Sequence, residues 1–128
     1  MMRFHHIGYV VSSIEQYERG LLFDEKITEV FDPIQKAKLA LYKNFGISYI
    51  ELIEPTEPSS FTWNALQKNG NHFHHLCYET DNMDELTRLQ QQSRWINILE
   101  PVPAVLFDNR LVTFYFTRNR QIVEFIIS

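Results

Sequence analysis

Phe4-His5-His6-Ile7-Gly8-Tyr9 and Phe73-His74-His75-Leu76-Cys77-Tyr78 are two versions of one six-residue stretch, and pairing them decides the fold. Position 4 stands against position 73, an offset of 69. Ile14-Glu15 and Met83-Asp84 keep that offset. Ile50-Glu51-Leu52-Ile53 matches Val123-Glu124-Phe125-Ile126 at an offset of 73, so a four-residue insertion in the second copy reconciles the two. A repeat of this kind constrains architecture before any local reading does.

Each copy reads β-α-β-β-β. In the first, 4–11 is rich in β-branched and aromatic residues and reads as a strand. Ser12-Ser13-Ile14-Glu15 fits an S-x-x-E capping box, which predicts a helix over about 13–22. Strands follow at 26–31, 36–42 and 47–53, with Asp32-Pro33 and Asn44-Phe45-Gly46 as turns. After the connector Pro55-Thr56-Glu57-Pro58, a short helix over 59–68 stops at Asn69-Gly70. The second copy has a strand at 73–80 and a helix capped by Asp81 or Asn82 running to about Gln92. Strand candidates follow at 95–99, 104–107, 111–117 and 122–127, with turns at Asp108-Asn109 and Arg118-Asn119-Arg120. Pro101 and Pro103 point to an edge or irregular segment. About 60 residues rarely bury a sufficient core alone. The expectation is therefore an α+β fold in one domain, 1–128. Two βαβββ modules, about 1–57 and 70–128, pack about a pseudo-twofold axis.

Composition narrows the function classes. The chain has 128 residues, with 45% hydrophobic and 22% charged content, as in ordinary globular domains rather than disordered chains. The net charge is −4 and there is no basic stripe, which argues against a nucleic-acid partner. No apolar run approaches the roughly 18 residues of a membrane span. The N-terminal Met1-Met2-Arg3-Phe4-His5-His6 has no signal-peptide core, and the single cysteine, Cys77, excludes an internal disulfide. A cytoplasmic protein is expected.

All five histidines fall in two short segments, His5-His6 and His72 with His74-His75. Strand side chains alternate between faces, so one histidine of each doublet should face a given side. With the pseudo-twofold, His6, Glu51, His75 and Glu124 converge. Two imidazoles and two carboxylates suit one divalent transition ion, and the carboxylates balance its charge. Two acids inside apolar strands are otherwise costly. Nickel, cobalt, zinc, manganese and iron all fit such donors. His5 and His74 are expected to point away, and His72 to face solvent. Cys77 takes the place of Gly8 in the first copy and should be small and buried. Tyr9, Tyr78, Phe114 and Phe116 read as core. Arg110 follows a turn at the rim of the expected cavity and is a candidate to hold a carboxylate or phosphate. Tyr42 and Trp63 are candidate pocket residues.

At these residues the sequence resembles the vicinal oxygen chelate (glyoxalase/bleomycin resistance/dioxygenase) superfamily, especially its glyoxalase I and methylmalonyl-CoA epimerase relatives. The resemblance rests on Phe4-His5-His6-Ile7-Gly8-Tyr9-Val10-Val11, Ile50-Glu51-Leu52-Ile53-Glu54-Pro55, Gly70-Asn71-His72-Phe73-His74-His75-Leu76 and Val123-Glu124-Phe125. It implies an incomplete barrel around one divalent metal ion held by His6, Glu51, His75 and Glu124. It further implies a lyase or isomerase that polarises a carbonyl and moves the neighbouring proton, with Glu124 or Glu51 as base. The substrate would be a small oxygenated metabolite or thioester. Relatives often form homodimers, and one is expected here. Where epimerase relatives carry a further Glu, this chain reads Lys36-Ala37-Lys38-Leu39-Ala40-Leu41, which argues against a two-base mechanism. Nothing in the chain identifies a glutathione site, and Asn109 stands where a Gly is expected. The alternatives are a non-catalytic, antibiotic-sequestering binding protein of the same superfamily and a ring-cleaving oxygenase. The full His-Glu-His-Glu set favours the lyase or isomerase.

Overall fold

The structure, a computed structural model, describes residues 2–46 and 48–128. Ile47, which opens the expected strand 47–53, lies outside the described residues. Eight strands form one curled sheet: β1 (Met2–Val10), β2 (Glu25–Asp32), β3 (Ala37–Lys43), β4 (Tyr49–Pro55), β5 (His72–Thr80), β6 (Ile96–Ala104), β7 (Arg110–Phe116) and β8 (Ile122–Ile127). Their spatial order is β2-β3-β4-β1-β5-β8-β7-β6. The order is a palindrome of the two copies, as the repeat demands. β1 and β5 pair antiparallel at the centre, and each also pairs parallel with the last strand of its own module. The α+β fold of two βαβββ modules in an incomplete barrel is thus present.

Alternation sends the two sets of side chains to different layers. Leu39, Leu41, Ile53, Cys77, Phe114 and Ile126 bury against one another on the inner face. Ala40, Tyr42 and Leu52 pack outward against Ile14 of α1 (Ile14–Glu18). Tyr115, Val123 and Phe125 do the same against Leu86 of α3 (Met83–Ser93). The third helix, α2 (Trp63–Asn69), brings Leu66 to the inner cluster. Among the described residues no helix is long and apolar enough to cross a membrane.

Three local expectations change. The helix expected over 13–22 ends at Glu18. Arg19, Gly20 and Leu21 donate to carbonyls three residues back, a tightening that breaks the α pattern. Its cap is Ser13, whose Oγ accepts from the Gln16 N–H at 3.2 Å, while the Ser12 N–H donates to Asn71 Oδ1 at 2.8 Å. The strands expected at 95–99 and 104–107 are not two strands. One edge strand, β6, runs through both prolines with shifted register. Val105–Phe107 then forms a 3-10 turn, closed by left-handed Asp108 and Asn109 (φ 55° and 60°). The turn lets consecutive Leu106 and Phe107 both bury, which alternation in a strand would forbid.

Candidate metal centre

The register of the central strands assembles the four sequence-selected donors. His6 on β1 lies opposite Cys77 on β5, and Cys77 in turn lies beside Glu124 on β8. By the same geometry, His75 on β5 lies opposite Gly8 on β1, which lies beside Glu51 on β4. Each small residue separates a histidine from a glutamate, and the longer side chains reach over it. A Cβ on Gly8 would sit 2.2 Å from His75 Cε1, so the ring occupies the space glycine leaves.

His6, Glu51, His75 and Glu124 are all buried, and their donor atoms lie within 4.8 Å of one another. His6 Nε2 and His75 Nε2 are 3.1 Å apart. Glu51 Oε1 is 3.2 Å from both nitrogens, and Glu124 Oε1 is 3.2 Å from His6 and 3.0 Å from His75. Donors about 2.1 Å from a common centre and roughly at right angles to one another stand about 3.0 Å apart. The spacing therefore fits one divalent ion. Glu124 Oε1 is buried yet has no partner of hydrogen-bonding geometry, although His75 Nε2 is close. A buried carboxylate oxygen inside a converging donor set suits a cation site.

Without an ion, the same groups compensate one another with protons. Burial favours the neutral His6 ring, but the Glu51 and Glu124 carboxylates outweigh it and push its pKa up to about 9. His75 is raised by the same carboxylates against its burial. Burial works against ionised Glu51 and Glu124, but the two imidazoles hold both carboxyls below the usual range. Protons on the imidazoles and a divalent ion thus supply the same kind of compensation for the two carboxylates.

The expectation that His5 and His74 point away needs correction. Both are buried, and each bonds to its neighbour's ring: His5 Nδ1 lies 2.7 Å from His6 Nδ1, and His74 Nδ1 lies 2.8 Å from His75 Nδ1. The cause is a bulge in each central strand. Pairing steps from Phe4 to His6 on β1 and from His75 to Phe73 on β5, leaving the first histidine of each doublet without an opposite residue. A bulge re-aims the extra side chain, so alternation fails there. His6 and His75 keep their Nε2 atoms inward, and the bulged histidines hold the outer nitrogens. Phe107 was not among the expected site residues, yet its ring stacks on His6 at 5.5 Å.

Of the expected pocket residues, only Arg110 reaches a cleft near the cluster. It lines a cleft of ≈ 630 Å³ with Arg3, Phe4, His5, Tyr49 and Glu79. An adjoining cleft, also lined by His5, Tyr49 and Arg110, extends to Leu41 and Phe107. Tyr42 is not there. It pairs with Ile50 on the outer face, is buried under α1, and donates to Glu18 Oε1 at 2.8 Å. Leu41, one residue earlier and opposite Glu51, has the inward parity. Trp63 begins α2, half-buried, and lines neither cleft. Cys77 is buried with its thiol pKa pushed up by burial, as a small structural residue should be. Phe114 is core, whereas Phe116 is partly exposed. His72 is half-buried, with Nδ1 2.7 Å from the Gly70 carbonyl.

A curled sheet of two βαβββ modules with a His-Glu-His-Glu cluster at its centre defines a class, and the comparisons agree with it. Residues 5–114 match the Glyoxalase/Bleomycin resistance protein/Dioxygenase superfamily, and the chain belongs to that superfamily. No curated protein matches the chain. A hypothetical protein from Bacillus halodurans C-125 is 26% identical, with a TM-score of 0.85 over 99% of this chain and 94% of that one. A methylmalonyl-CoA epimerase variant from Streptomyces coelicolor, in complex with 2-nitronate-propionyl-CoA, is 23% identical, with a TM-score of 0.82 over 98% and 96%. The epimerase from Mycobacterium tuberculosis is 19% identical, with a TM-score of 0.78 over 98% and 87%. These two epimerases share the fold.

Proposed function

We propose that this protein is a divalent-metal-dependent lyase or isomerase of the glyoxalase/epimerase type. It would act on a small oxygenated metabolite or thioester. The observation that carries this is the convergence of His6, Glu51, His75 and Glu124, with Glu124 Oε1 buried and orphaned among them. The four residues would hold nickel, cobalt, zinc, manganese or iron. Such an ion supplies Lewis-acid polarisation of a substrate carbonyl. Glu124 is the base that takes the proton beside that carbonyl, and Glu51 is the second candidate. Glu124 lies inside an apolar strand, so its carboxylate is poorly hydrated and strongly felt by a neighbouring C–H. His5 and His74 hold the imidazoles in one orientation. Phe107 covers His6 and excludes water from the proton transfer.

Solvent deuterium uptake at the carbon beside the carbonyl tests this, with 2-oxo, 2-hydroxy and acyl-thioester compounds. Uptake is expected in the wild type and lost in Glu124→Gln. Uptake that persists in Glu124→Gln excludes Glu124 as base. Burial of all four donors also suits the second reading, a non-catalytic binding protein of the same superfamily. No uptake with any of these compounds would favour that reading.

The chain, as one domain of modules about 1–57 and 70–128, is proposed to act as a homodimer. Its two sheet-end strands, β2 and β6, expose Ile27, Phe31, Ile96 and Ile98. Unpaired edges with apolar side chains favour association. Light scattering that shows a monomer at high micromolar concentration would count against it.

A further inference from the structure

The two bulged histidines make the same bond but face different surroundings. His74 looks toward the rings of Phe61 and His72. His5 lines the cleft with Arg3, Tyr49, Glu79 and Arg110. The proton on each is assigned by its neighbour. His6 turns Nε2 into the cluster, so when that nitrogen ligates an ion the ring's proton must sit on Nδ1. An imidazolium at His6 also carries a proton on Nδ1. In both states His6 Nδ1–H donates and His5 Nδ1, 2.7 Å away, accepts. A proton on His5 Nδ1 would set two N–H groups against each other. The single proton of His5 is therefore on Nε2, and among the described residues only Nδ1 of His5 has a hydrogen-bonding partner.

Arg110 is held beside it with donors to spare. Its Nη1 reaches Glu79 Oε2 at 2.9 Å and Ser128 Oγ at 3.5 Å, and its Nε donates to the Phe107 carbonyl at 3.3 Å. Nη2 has no partner among the described residues. Glu79 is shared with Arg3, whose Nη2 donates to Oε1 at 3.1 Å. One carboxylate between two guanidiniums leaves the cleft with a formal charge of +1. Asp108 lies in the adjoining cleft, and Asp81 on the far side of Arg3.

We propose that the cleft at His5 is a subsite for an anionic oxygen group of the ligand, a carboxylate or a phosphate, with the His5 Nε2–H and the Arg110 guanidinium as its donors. Its place in catalysis rests on the reading given above, but its binding does not. A ligand anchored here lies against His5 and Tyr49 on the module-one side. The equivalent position in module two is walled by Phe61 and, among the described residues, carries no arginine among its contacts. The repeat supplies the cluster symmetrically, and the subsite gives it a direction.

Full-length protein with ¹⁵N-labelled histidine, zinc-loaded or chelator-treated, provides the test. Long-range ¹H–¹⁵N spectra should show His5 and His74 both as Nε2–H tautomers. Titration with malonate and, separately, inorganic phosphate should shift His5 saturably and leave His74 unmoved. The probe that saturates at lower concentration tells a carboxylate subsite from a phosphate one. Arg110→Gln should weaken that probe about tenfold or more. Trp63→Phe, at a residue that lines neither cleft, should leave it unchanged. An Nδ1–H tautomer at His5, no saturable shift with either probe, or undiminished binding in Arg110→Gln would overturn the proposal. The wild-type titration needs no variant to fold. Saturable binding without deuterium uptake would reject the lyase or isomerase and keep the subsite. Uptake without probe binding would do the reverse.

Discussion

Gly8 lies directly across the β1–β5 pair from His75, and the imidazole fills the volume that any Gly8 side chain would need. His75 is wholly buried, with its outer nitrogen held by His74 and its inner nitrogen among the carboxylates, so it has nowhere to retreat. Gly8→Ala should therefore destabilise the protein by about 1–3 kcal/mol and lower its metal affinity. Gly20→Ala, where a Cβ meets nothing within 4 Å, is the control and should be close to neutral. Thermal melts with and without zinc read both effects.

The bulged histidines and the inward histidines should separate in metal analysis. His6→Ala/His75→Ala removes two of four donors and should abolish stoichiometric metal binding. His5→Ala/His74→Ala keeps all four donors but frees the outer nitrogens, which should cost about 10–100-fold in affinity. Equal loss in the two double variants would refute the register. Full retention in His5→Ala/His74→Ala would show that the short Nδ1 contacts do nothing for the site.

Metal loading should release protons. In the metal-free cluster the carboxylates hold a proton on His6, whose pKa is pushed up to about 9, and raise His75 in the same direction, whereas coordination requires both Nε2 atoms bare. Calorimetry at pH 7 in two buffers of different ionisation enthalpy should report at least about one proton released per ion, that of His6. A value near zero would mean that the cluster is not the binding site.

Stability of the metal-free protein should pass through a maximum near pH 6.5. His6 is raised to about 9 in the folded state, against about 6.5 unfolded. Its contribution is full below pH 6.5 and is lost as pH rises through about 9, because the folded state then binds more protons than the unfolded chain. His75 shifts in the same direction. His5 and His74 shift oppositely, to about 4 and about 3, by burial first and then by the neighbouring imidazoles. Below pH 6.5 the unfolded chain takes up protons that these two rings refuse, so stability falls toward acid. A melting temperature independent of pH from 4 to 9 after chelation would contradict this.

Tyr42 should behave as an outer-face core residue. Tyr42→Phe removes the hydroxyl bond to Glu18 and should cost about 1 kcal/mol. Malonate and phosphate binding at His5 should not change. An altered affinity in Tyr42→Phe would return the residue to the ligand site.

The sequence by itself determined the architecture and picked out the four residues that cluster at its centre. A stretch repeated at an offset of 69, with a Glu in the last strand of each copy, requires two equivalent modules. Period-two alternation then selects one inward position for each acid, since burial of one sheet face specifies register strongly. Three things were left to the tertiary structure. The bulges at His5 and His74 depend on how β1 and β5 slide against each other, a pairing between residues 62 to 78 positions apart. The position of Phe107 over His6 depends on a 3-10 turn whose left-handed exit is taken by Asp108 and Asn109, with no glycine to announce it. Arg110 stands beside His5 because β7 and β5 both pair with β8, and Glu79 of β5 holds the guanidinium. Local pattern encodes which face a strand residue takes. Which residues from distant strands share a cleft is set by pairing register and bulges, and these are decided by packing the whole sheet at once.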